Sequence, residues 1–460
     1  MTNGKEQVKT LFQQKDLAYS SVAQGEHNGV FYFGSSVKNP DGKIKTCVIT
    51  SDKKLFIGKK SIQNDFDLQY QFPFSWEIIP RRWSNVSIDA WLKGKTEHFS
   101  LDQIYTEIFA VEKKFMSYSD ERYYSFISVW VIATYFHKLF ESFGRILFNA
   151  PKSSGKTKQT TILSLICFNA IFSANISSSA LFSSVESTGA TVLIDDFDNL
   201  LSERQTNELL QLIRTGYKSG QKVVRQREKP KVGYTPRGFD FFSPLVINNT
   251  KGLDKISSDR CIELNILKTT GNITKLRIDS KSPAWSLLRD KLHICAMLEW
   301  KRVKGNYKTL KIEDDRINSR ALELFSPFFA IASLISPQVF KNIKSLAIEL
   351  NSKKDVADIE MDSEYIILKF ISNYLPNEVD TVRFTISQIF NGVREEVRPS
   401  SDKAFRNYIG ALLRRIPRIG IIPLSKGIPQ FPINREILEE YAKARDFELP
   451  KENWVVESPQ

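Results

Sequence analysis

NAPKSSGKT, residues 149–157, closes on a glycine, a lysine and a hydroxyl residue in a row. That is the end of the phosphate-binding pattern G-x-x-x-x-G-K-[ST], entered here through Ala150 where the pattern has glycine. Holding phosphate requires inward-turned backbone N–H groups, a helix N-terminus behind them, a lysine and a metal-binding hydroxyl. Gly155 permits the close approach, Lys156 reaches the β/γ-phosphates of ATP and Thr157 holds Mg²⁺, while Lys152, Ser153 and Ser154 form the body of the loop. Ala150 closes a strand, where alanine is acceptable at negative φ, and Pro151 fixes one side of the turn. A chance G-K-T at a helix start is common, so the reading depends on what surrounds it.

The surroundings alternate strand and helix. RILFNA (145–150) runs into the loop and KTKQTTILSLICF (156–168) leaves it as a helix. AIFSANI (170–176), TVLIDD (191–196), PLVINN (244–249) and CIELNIL (261–267) are further strands, with SSSALFSSVES and SERQTNELLQLIRTGYK as helices between them. Such alternation implies a mainly parallel sheet covered by helices on both faces. TVLIDD ends in two carboxylates: Asp195 to anchor Mg²⁺ through water, and Asp196 to polarise an attacking water. PLVINN carries Asn248 and Asn249 to the tip of a buried strand, where an amide orients that water; Asn249 is favoured for this and Asn248 for contact with the nucleotide. Arg260, in SSDRCIEL (257–264), stands just before the last strand. It either pairs with Asp259 on the surface or, in a ring, reaches a neighbouring subunit's nucleotide.

Composition bounds the rest. Sixty-five Lys+Arg against 52 Asp+Glu give a formal charge of +13, which suits a polyanionic partner. The content of 42% hydrophobic and 25% charged residues excludes wholesale disorder. Cys47, Cys167, Cys261 and Cys295 lie far apart and the four histidines show no ligand spacing, so neither a zinc site nor a disulfide framework is expected. A reducing, cytoplasmic setting fits this usage, as does the polar start MTNGKEQVKT. The apolar run YYSFISVWVIATYFHKLF (123–140) falls short of the about 20 residues a spanning helix needs, and predicts a buried helix.

The expected organisation is a β-rich domain over 1–100, with GVFYFG and KTCVITSDKKLFIG as alternating strands, then a helical linker over 101–142 that packs on the core. The nucleotide core covers 143–270, a helical lid 271–350, and a small helical domain with a hairpin 360–450. GNITKLRIDSKSP (271–283) and NSKKDVADIEMDSE (351–364) read as linkers.

The ordered set NAPKSSGKT, TVLIDD, PLVINNT, SSDRCIEL resembles the core of AAA+ ATPases. Its nearest likeness is to the replicative-helicase branches, superfamily 3 and minichromosome-maintenance-like motors of phages, plasmids and mobile elements. The resemblance implies an α/β fold: a P-loop core with a parallel sheet and helical lid, a β-rich domain before it and a winged-helix-like domain after it. It implies a homo-oligomeric ring, a hexamer, that hydrolyses ATP with Mg²⁺ between subunits to drive a DNA helicase. The alternative is an initiator or helicase loader that uses ATP as a conformational switch. QKVVRQREKPKVGYTPRGFDFF (221–242) resembles the hairpin such motors project onto single-stranded DNA, with Lys229, Lys231, Arg237 and Tyr234 near its tip. In NSRALELFSPFFAIASLI (318–335), Arg320 matches a lid arginine that contacts the γ-phosphate. SSDKAFRNYIGALLRRIPRIG (400–420) and the hairpin after it resemble a winged helix, with Lys403, Arg406, Arg414 and Arg415 placed for duplex DNA. One departure is that Asp196 stands where glutamate is commoner.

Overall fold

The computed structural model describes residues 19–38, 41–79, 82–149, 154–173, 178–195, 209–211, 213–229, 233–249, 253, 255–266, 276–361, 363–375, 381–397, 401–416, 422–423, 429–444, 447 and 449. They divide after Leu350 into two compact units.

The first unit opens with an antiparallel meander: β1 (Gln24–His27), β2 (Val30–Lys38), β3 (Ile44–Thr50) and β4 (Leu55–Ile57), paired in that order. Asn28 and Gly29, at φ 51° and 74°, join β1 to β2. Asn-Gly tolerates the left-handed backbone that a two-residue hairpin turn requires. Helices α1 (Gly58–Asn64) and α2 (Asn85–Leu92) follow, then α3 (Leu101–Phe115). The Gln103 side chain accepts from the Ser100 backbone N–H at 3.0 Å and caps the start of α3. The apolar run seen at 123–140 becomes α4 (Arg122–Thr134), buried along nearly its whole length, with Trp130 Nε1 donating to the Gly144 carbonyl at 2.8 Å. No described helix is long and apolar enough to cross a membrane.

The parallel sheet comes next: β5 (Arg145–Asn149), α5 (Lys156–Ile166), β6 (Ile171–Ser173), α6 (Ser178–Thr188) and β7 (Val192–Ile194). The hairpin β8 (Lys222–Lys229) and β9 (Gly233–Asp240) stands outside that sheet, which resumes with β10 (Leu245–Asn249), α7 (Lys255–Ser258) and β11 (Cys261–Asn265). The strand order is β11-β5-β10-β7-β6, all parallel, so the strand before the loop lies inside the sheet and both its neighbours come later in the chain. β5 and β10 are buried almost end to end, which explains their continuous apolar runs. Helices α8 (Pro283–Thr309) and α9 (Ser319–Ile335) follow. Phe31 and Phe33 of β2 enter the same core as Phe136, Phe168 and, from α8, His293 and Trp300.

Helix α10 (Pro337–Met361) runs through the division, so the expected linker over 351–364 is helical as far as Met361. Its Lys, Asp, Ala and Glu residues, without Pro or Gly, continue the helix instead of breaking it. The second unit adds α11 (Ser363–Asn373), β12 (Val382–Thr385), α12 (Ile386–Val397), α13 (Asp402–Arg415), β13 (Ile422–Pro423), β14 (Pro429–Ile433) and α14 (Arg435–Lys443). Its three strands pair antiparallel in the order β12-β14-β13, around its own core of Ile367, Ile389, Phe390, Leu412, Phe431 and their neighbours.

Candidate nucleotide site

Three strand tips and one helix start converge at the carboxyl edge of the parallel sheet, where open α/β sheets place their ligands. Gly155 caps α5 at φ 98°, a conformation that strains any side chain. Lys156 is the first residue of the helix, and its Nζ donates to the Asn249 carbonyl at 3.1 Å. In the parallel register Asn249 lies level with Asn149, and Ile247 with Ile194, so Asn248 is level with Asp195. Asn248 Nδ2 donates to Asp195 Oδ1 at 2.7 Å and to Thr160 Oγ1 at 2.8 Å, tying the acid to the loop helix. Side chains alternate across a strand, so Asn249 presents its own side chain to the other face and contributes its carbonyl here. Asn248, not the favoured Asn249, is therefore the amide that meets the acid.

Ser154 is buried and its Oγ finds no hydrogen-bond partner among the described residues, beside helix N–H groups that likewise need acceptors. An anion at this point satisfies both. Thr157 is exposed at the mouth of the helix. Ala150, Pro151, Lys152, Ser153 and Asp196 lie outside the described residues. Among the described residues no group of three His, Cys, Asp or Glu side chains could hold a metal ion. A metal here would rest on Thr157, Asp195 and the nucleotide's own phosphates, as Mg²⁺ commonly does.

Behind the start of α5 sits an ionisable group that no sequence motif marks. Glu112 of α3 is fully buried; Gln159 Nε2 donates to its Oε1 at 3.1 Å and Tyr118 Oη to its Oε2 at 3.3 Å. Burial pushes its carboxyl up to about 7, although both hydrogen bonds act to lower it. A weaker signal was present: Leu101, Ile104, Ile108 and Phe115 mark the buried stripe of α3, and an acid occupies that stripe at 112.

Two arginines expected at phosphates sit together at the opposite edge of the sheet. Arg320 Nε bonds Asp259 at 3.0 Å and its Nη1 bonds the Tyr217 hydroxyl at 2.6 Å, with Glu323 beside it. Arg260 Nη1 donates to the Ile256 carbonyl, its guanidinium lies 5.9 Å from the Tyr217 ring centre, and its Nε is buried without a hydrogen-bond partner among the described residues. Cys261, next to Arg260, pairs with Arg145 at the start of β5, whereas the loop follows the end of β5. Five residues of strand separate the two edges by about 13 Å. Within one chain Asp259, Tyr217 and Glu323 hold Arg320 at the edge of the sheet away from the start of α5.

The hairpin pairs from Lys222 opposite Asp240 to Lys229 opposite Gly233. The side chains of Lys229, Tyr234 and Arg237, and all of Lys231, lie outside what is described. At the hairpin's base, Lys138 Nζ donates to Asp240 Oδ2 at 2.8 Å and to the Phe242 carbonyl at 3.1 Å, while Glu186 accepts from the Asp240 N–H. Lys138 and hydrogen bonding from Phe242 hold the Asp240 carboxyl below its usual range despite its burial. In the second unit Lys403, Arg414 and Arg415 are exposed on α13. Arg406 is committed locally, with Nη1 on Ser387 Oγ at 3.0 Å and its guanidinium 3.8 Å from the Phe390 ring centre.

Sheet and site together define a P-loop-like α/β core. No family model matches the sequence, and no curated protein matches it. Among solved structures, the chain is similar to the C-terminal region of NrS-1 at 13% identity, covering 85% of this chain and 94% of that one, with a TM-score of 0.36. It is similar to a full-length MCM homolog from Methanopyrus kandleri at 9% identity over 72% and 75% of the two chains, TM-score 0.33. With the JCV helicase the figures are 13%, 61% and 76%, TM-score 0.23.

Proposed function

We propose that this chain is an ATPase that drives a ring-shaped helicase along DNA during replication of a phage, plasmid or other mobile element. The observation that carries the nucleotide half is the convergence of Lys156, Asn249, Asn248 and Asp195 at one strand edge. The buried Ser154 hydroxyl and the left-handed Gly155 fit a triphosphate there. Lys156 and the N-terminus of α5 bind its phosphates, and Asn248 holds the Asp195 carboxylate in place. Asp196 polarises the attacking water, and the Asn249 carbonyl holds Lys156 beside it. Thr157 and Asp195 would hold Mg²⁺, which would supply charge neutralisation on the phosphates.

The DNA half rests on charge and topology. The +13 excess, the inserted hairpin and the exposed Lys403, Arg414 and Arg415 suit a polyanion. Helix α11, strand β12, helices α12 and α13 and the β13–β14 pair follow one another as in a winged helix, with α13 in the recognition position for duplex DNA. The 221–242 hairpins would hold single-stranded DNA in the channel of a hexamer. Arg260, remote from its own loop, would serve the neighbouring subunit's nucleotide.

The test is hydrolysis and strand displacement on a forked substrate. Lys156→Ala removes a charged contact of about 2–3 kcal/mol and should weaken nucleotide binding about 100-fold, abolishing turnover. Arg260→Ala should bind nucleotide as the parent does and fail to hydrolyse it; normal turnover in that variant sinks the intersubunit role. ATP hydrolysis without unwinding would replace the motor with a nucleotide-switched initiator.

A further inference from the structure

We propose that Glu112 is a positioning residue for the phosphate loop, holding the loop helix as a neutral carboxylic acid whose proton is linked to nucleotide binding. This rests on the nucleotide-binding reading of the loop and adds to it. Gln159, the fourth residue of α5, reaches back to Glu112, and the carbonyl oxygen of its amide is buried with no hydrogen-bond donor among the described residues. Turning the Gln159 amide over brings that oxygen to Glu112, where a carboxylate offers it nothing and a carboxylic acid has an O–H to give. The segment just beyond Glu112 also backs the loop, since the Met116 methyl lies 3.7 Å from where a side chain on Gly155 would start. Tyr124 fixes this segment by donating its hydroxyl to the Met116 carbonyl at 3.2 Å and accepting from the Tyr118 N–H at 3.1 Å.

Burial favours the proton on Glu112 and outweighs the hydrogen bonds that Gln159 and Tyr118 donate to it. Tyr118 faces it, Tyr124 stands behind Tyr118 on α4, and Cys167 at the end of α5 is a buried thiol whose own titration its charge raises. On its own helix, Lys113 turns away to pair with Glu121 and lie over the Tyr124 ring. Among the described residues no cation contributes to the shift of its carboxyl, which stands near 7. Phosphates arriving at the N-terminus of α5 add negative charge, which favours the neutral acid further. Binding then draws a proton from solvent onto a Glu112 carboxylate oxygen, with no other bond made or broken. Affinity consequently falls as pH rises through and above 7, by at most about tenfold per pH unit for one linked proton.

Calorimetric titration of the full chain with Mg·ADP from pH 6 to 8.5, in two buffers of different ionisation enthalpy, measures affinity and proton uptake together. The expected result is uptake of a fraction of a proton at pH 8 and a weakening Kd in the parent. Glu112→Gln, which keeps a neutral side chain of the same shape, should bind like the parent at pH 6 and show neither effect at pH 8. Gln159→Met, a second variant that keeps the acid and removes its tie to the loop helix, should also lose most of the linkage. Equal pH slopes and proton counts in the parent and both variants overturn the proposal. A parent that binds no nucleotide at any pH overturns the ATPase reading and this one with it.

Discussion

Asn248 shows how much of a site can depend on one side chain. Its amide spends both hydrogens, one on Asp195 and one on Thr160, so it fixes the acid and the loop helix at once. Asn248→Ala leaves a half-buried carboxylate and a buried hydroxyl short of a donor, at a cost of about 1–3 kcal/mol. The expected outcome is a lower Tm together with weaker Mg²⁺-dependent nucleotide binding, read by thermal melts with and without Mg·ADP. If only the Tm moves, Asn248 is a packing residue. The sequence could narrow the amide to two neighbours, but choosing between them required the register of β10 against β7, because adjacent residues on a strand face opposite ways.

At the scale of elements, the hairpin β8–β9 is anchored at its root by Lys138, which lies just beyond α4. Lys138 is only 10% exposed and Asp240 32%, so the pair is partly shielded from water. Lys138→Met leaves the Asp240 carboxylate beside Glu186, whose own titration Asp240 raises, without its cation. Amide hydrogen exchange across 222–240 should then accelerate while nucleotide affinity stays within about twofold of the parent's, since neither residue touches the loop. Unchanged exchange would mean that strand pairing alone holds the hairpin. The hairpin itself was legible over 221–242, ahead of the strand PLVINN. Its anchor was not, because Lys138 and Asp240 are about 100 residues apart in the chain.

Among the described residues each unit has a main core of its own, and the first carries two smaller clusters besides. One main core gathers the meander, α3, α4, the parallel sheet and α8–α9; the other belongs to the residues after Leu350. Separate cores unfold as separate cooperative units. Calorimetry should therefore resolve two transitions, of which Mg·ADP raises only the one belonging to the first unit; a single transition raised as a whole would show the units to be one cooperative body. Local pattern by itself determined the strand–helix alternation, a buried helix within 123–140 and the hairpin, since each depends on residues within a few turns of one another. Tertiary structure alone decided which asparagine meets Asp195, that Arg320 lies at the far edge of the sheet, and that Glu112 backs the loop. Those contacts join residues tens to hundreds of positions apart, and only packing chooses among the partners that the sequence leaves open.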